Sequence, residues 1–79
     1  MRVTFTTTEP ATLKAVLRYE FHGILHFELH YTKPGDAPQT IRIQKIASHQ
    51  IYPNPQAGDA IVIHALMGMI HQITKAQSQ

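Results

Sequence analysis

The run His26-Phe27-Glu28-Leu29-His30 is the first stretch of this 79-residue chain whose residue types could do chemistry. On a strand, residues two apart share a face, so two imidazoles and a carboxylate would stand in a row at about 6.8 Å per step. Neighbouring members of the row could share a zinc ion. The strand pairing argued below places Glu20 opposite His26, which makes His26, Glu28 and Glu20 the candidate metal ligands. The end histidines stand too far apart to meet on one ion. A polar row is also what the solvent side of any strand presents, so no metal or cofactor is expected.

The other reactive groups are more scattered. His64 and His71, read on a helix, lie two turns and about 10 Å apart along the axis and cannot chelate one ion. Phosphate-binding glycine loops, nucleophile elbows and zinc-protease spacing are absent from the sequence. Ser48 and Ser78 are the only serines, and Ser48-His49 adjacency says nothing about a triad. There is no cysteine, which removes disulfides, thiolate metal sites and cysteine nucleophiles. The expectation is a protein that is not an enzyme.

Basic residues offer a different chemistry. The chain carries a formal charge of +2 and has a pI near 9.2, which permits an anionic partner. Lys14, Arg18 and Arg42, with His26 and His30, could form a phosphate-binding sheet face. Glu20 and Glu28 fall in the middle of that face. Tyr19, Phe21, Phe27 and Tyr31 fall in the core phase of the strands, which leaves no platform for stacking bases.

The elements that position these groups are read from periodicity. Leu13, Ala15, Leu17, Tyr19 and Phe21 alternate with polar residues, and Leu25, Phe27, Leu29 and Tyr31 do so again after Gly23. This is a half-buried strand pattern twice over. A three-residue connection, His22-Gly23-Ile24, keeps the faces separate: it pairs Phe21 with Leu25, Tyr19 with Phe27 and Glu20 with His26, with a bulge near the glycine. Thr40–Ile51 reads as a third strand, with Ile41 and Ile43 in phase and a slip at Gln44-Lys45. Val3 and Phe5 suggest a short first strand. Pro34-Gly35 suits the centre of a type II turn.

Ala60–Ile73 reads differently. Val62, Ile63, Leu66, Met67, Ile70 and Ile73 gather on one side of a helix, with Asp59 as its cap and Lys75 in its last turn. The expected fold is therefore α+β: a four-stranded, mainly antiparallel sheet with one C-terminal helix on its apolar face. The alternative, β-α-β-β-α, makes residues 9–22 a helix. The phrase Ala57-Gly58-Asp59-Ala60-Ile61-Val62-Ile63 is similar to the entry to a late strand in OB-type barrels. The helical reading leaves no strand after it to close such a barrel, so no function follows from the likeness.

Length and composition (43% hydrophobic, 15% charged) suit a single small domain over 1–79 with a thin core. The cysteine-free sequence, without a signal peptide or a bilayer-length apolar run, points to the cytoplasm and away from the membrane. Thr4, Phe5, Thr6 and Thr7 form an uncharged, β-prone edge suited to pairing with a second copy or another protein. The expected function is a non-enzymatic protein-interaction or regulatory module, homodimeric through that edge. The alternative is weak nucleic-acid binding through the basic sheet face.

Overall fold

The computed structural model describes residues 6–76. Five antiparallel strands form one sheet: β1 (Thr6–Phe21), β2 (Ile24–Thr32), β3 (Arg42–Ala47), β4 (Ala60–Leu66) and β5 (Met69–Lys75), in the spatial order β3-β2-β1-β4-β5. The described residues contain no α-helix, only a 3-10 turn at Ser48–Gln50. This corrects the α+β expectation. It also removes the alternative, because residues 9–22 belong to β1 apart from His22 in the following turn.

Two β-bulges explain why the periodicity misleads. In β1 the pairing with β2 shifts between Leu13 and Ala15, so Lys14 is an extra residue. A bulge reverses the phase of everything beyond it. Leu13 and Val16, three apart, both face the core, while Leu17, Tyr19 and Phe21 turn outward. In β5 the extra residue is His71, and Ile70 and Ile73 both face inward. Inward residues three apart imitate a helix. The expected helix is instead the β4–β5 hairpin, reversed at Met67-Gly68 with φ of 52° and 83°. That left-handed pair is a type I′ turn, whose twist matches the strands it joins.

The first hairpin is reversed in the same way. His22 and Gly23 have φ of 53° and 78°, and Phe21 pairs directly with Ile24. The connection is therefore two residues long, not three. Tyr19 pairs with His26, Arg18 with Phe27 and Glu20 with Leu25. In β3, Ile46 is buried and Ile43 is 58% exposed, and pairing with β2 runs without a shift. The residue out of step with the core is Ile43 and not Ile46. The turn at Pro34-Gly35 forms as expected, with Gly35 at φ 91° and the Asp36 N–H donating to the Lys33 carbonyl at 3.1 Å.

Bending at Lys14 lets one long strand serve two partners. Thr6–Thr12 pair with β4, and Thr12–Phe21 pair with β2. Beyond β3, Ile51 makes a parallel bridge to Ile73 of β5. The sheet thus curls into a partly closed barrel around Leu13, Leu29, Ile61 and Ile73, all at most 1% exposed. The sheet is a meander β1-β2-β3 whose first strand is shared with β4, with a single parallel contact from Ile51 to β5. The strand that the helical reading left out is β5. No helix among the described residues is long and apolar enough to cross a membrane.

Asp59, expected as a helix cap, ties the long loop to the barrel. Its carboxylate accepts from the Tyr52 hydroxyl at 2.7 Å and the Gln56 N–H at 3.1 Å, while its carbonyl accepts from Leu13 at 2.9 Å. The Tyr52 bond holds the Asp59 carboxyl below its ordinary range. Burial and the same carboxylate push the Tyr52 phenol well up.

Two stability predictions arise here. Met67 occupies a left-handed conformation that costs an ordinary L-residue about 1–2 kcal/mol and that asparagine tolerates. Met67→Asn should recover up to about 1 kcal/mol and raise the melting temperature by about 4–8 °C. Calorimetry checks it, and an unchanged midpoint would count against the turn geometry. The second concerns acid. Hydrogen bonds from Arg42 (Nε 3.0 Å, a terminal nitrogen 2.9 Å) and from the Lys33 N–H lower the Asp36 carboxyl from 3.8 to about 2. A depressed carboxyl contributes stability above its unfolded value, and that contribution disappears as pH falls through the folded one. Denaturant midpoints measured from pH 5 down to 2 should fall below about pH 4, and Asp36→Asn should flatten that part of the curve.

Candidate nucleic-acid interface

The outer face of β1–β2–β3 gathers the groups that the phase reversal turned out of the core. Tyr19 stacks on His26 with ring centroids 5.4 Å apart and planes 29° from parallel. Phe21 meets His26 edge-on at 5.8 Å and His22 at 4.0 Å. His26 is held from its own strand, Nδ1 donating to the Ile24 carbonyl at 2.9 Å. The next row carries Leu17, Glu28 and Lys45, and the one beyond it Ala15, His30 and Ile43. Leu17, Phe21, Ile24 and Ile43 are 50–58% exposed. The expectation that the aromatics all lie in the core phase is corrected: Phe27 and Tyr31 are buried, whereas Tyr19 and Phe21 are on the outer face.

The candidate metal ligands are not brought together. Glu20 pairs with Leu25, on the opposite face from His26. His30 Nε2 donates to Glu28 Oε2 at 2.8 Å, an ion pair when the imidazole is protonated. Among the described residues, no group of three His, Cys, Asp or Glu side chains could hold a metal ion.

The three basic candidates are dispersed. Lys14 is the exposed bulge residue. Arg18 lies on the other face, 5.9 Å from the Phe27 ring centroid, at a cleft of about 350 Å³ that Leu25, Ile51 and Tyr52 also line. Arg42 is engaged by Asp36. Lys33 pairs with Glu9 at 2.8 Å and Lys75 approaches Asp59 at 4.0 Å. Among the described residues, Lys14 and Lys45 are the lysines outside an ion pair. Lys45 was missed as a candidate, because the slip assigned to Gln44-Lys45 hid its place opposite Glu28.

The expected dimer edge is covered only in part by the described residues. Thr4 and Phe5 lie outside them, and Thr6 and Thr7 pair with Leu66 and Ala65 of β4. Comparison with protein families, with curated proteins and with solved structures finds no match.

Proposed function

We propose that the chain is a non-enzymatic binding module whose outer β1–β2–β3 face takes single-stranded nucleic acid. The outward Tyr19–His26 stack, with Phe21 exposed beside it, carries the reading. Unpaired bases stack on such rings with little regard to sequence, whereas duplex bases present no free face. Lys14 and Lys45 are available to phosphates, and the chain is net positive. The strand order, with β1-β2-β3 as a meander and β1 shared with β4, resembles that of OB-type barrels, which use the face of their second and third strands for oligonucleotides, and it supports the reading by analogy. A cytoplasmic location belongs to the same proposal, and nucleic-acid binding on this face calls for no cofactor.

Fluorescence anisotropy with a short labelled oligonucleotide at low ionic strength is the test. Binding should favour single strand over duplex and weaken as salt rises. Lys45→Glu should weaken it more than Arg18→Glu, which sits on the other face. Absence of binding at low salt ends the proposal.

The exposed Leu17, Phe21, Ile24 and Ile43 favour a second reading, in which the same face pairs with a second copy of the chain. Sedimentation at micromolar concentration would then give a dimer that Ile43→Glu converts to monomer.

A further inference from the structure

We propose that the β4–β5 hairpin carries a two-histidine site for one divalent late transition-metal ion, with His64 and His71 as the protein ligands and water completing the shell. The site is separate from the nucleic-acid face and does not depend on it. A helical reading places these residues about 10 Å apart along an axis. The hairpin instead brings their ring centroids to 6.5 Å, with the planes at 60°.

The bulge is what makes the pair. His64 faces outward from β4 opposite Gln72, and His71 is the extra residue of β5. Without the bulge His71 would alternate to the inner side, away from His64. The backbone there is anchored by Gln50, whose side-chain amide donates to the His71 carbonyl at 3.4 Å, and by the type I′ turn three residues before. Two imidazoles sharing one ion at metal–nitrogen distances of about 2.0–2.1 Å place their centroids about 5–5.5 Å apart. The remaining approach of about 1 Å is a side-chain rotation of the exposed His71.

His64 already has the outer partner that a ligating histidine needs. Its Nε2 lies 3.0 Å from Thr74 Oγ1. With Nε2–H donating to that hydroxyl, Nδ1 carries the lone pair and the ring is held in orientation. Imidazole pairs without thiolate or carboxylate suit copper(II), nickel(II) and zinc(II), with copper bound most tightly.

The test uses zinc, which is diamagnetic, added to the whole chain without nucleic acid, and reads the imidazole resonances of all six histidines by NMR. The expected result is that His64 and His71 shift together with one midpoint, at lower zinc than His22, His26, His30 and His49. His71→Gln should abolish the early His64 response while circular dichroism stays that of the folded chain. Thr74→Val should weaken the joint midpoint by about 10–100-fold while both ligands remain. Two different midpoints for the pair, or a His64 response that survives His71→Gln unchanged, would overturn the site.

Discussion

Leu29→Ala is expected to remove a large share of this chain's folding free energy. Leu29 is fully buried in β2, where it pairs with Val16 and Gln44. Truncating a buried leucine costs about 2–5 kcal/mol, from lost burial and from the cavity left behind. A domain of this length has about 4–12 kcal/mol in total. The melting temperature should fall by at least about 10 °C. The informative comparison is Leu17→Ala. Simple alternation makes both leucines core residues, but the Lys14 bulge leaves Leu17 51% exposed. Leu17→Ala should therefore shift stability by no more than about 0.5 kcal/mol. Denaturant titration of both variants decides the matter. Equal losses would place Leu17 in the core and remove the bulge, and with it the outward face that the proposed function needs.

Tyr19→Ala is expected to reduce affinity for single-stranded oligonucleotides by about tenfold or more while leaving the fold in place. Removing an aromatic from under a base costs about 1–3 kcal/mol, and 1.4 kcal/mol is a factor of ten. Tyr19 is also the partner of His26, so its loss frees a second ring from its stack. Phe21→Ala should show a loss of the same order, since Phe21 is 56% exposed and meets His26 from the side. Tyr19→Phe should retain most of the affinity, because the π-face remains. Anisotropy at fixed low salt gives the constants, and circular dichroism confirms folding. A folded Tyr19→Ala variant that binds like the parent would show that the cluster is not the binding surface. A salt dependence unchanged by Lys45→Glu would remove that lysine from the phosphate contacts.

Some of this architecture is legible in the residues alone. The strand character of β1 and β2, the turn at Pro34-Gly35 and the burial of Phe27, Leu29 and Tyr31 all follow from local alternation and turn chemistry. So do the exclusions that rest on composition, such as disulfides. These features depend on residues close in sequence, where period and φ preference act directly.

What only the tertiary structure decided hangs on two single-residue insertions. Lys14 and His71 look like ordinary members of their strands, and nothing local marks either as extra. Each is tolerated because the barrel must bend there: β1 to pass from β4 to β2, and β5 to keep Ile70 and Ile73 both inside. A one-residue change of phase moves every side chain beyond it to the other face. That is why Tyr19 and Phe21 appear as core in the sequence and stand outside in the structure. It is also why a β-hairpin carries the spacing of a helix, and why His64 and His71 meet. Sequence periodicity reports which residues are apolar at which interval. The face they occupy is set by long-range pairing, through the free energy of closing one core.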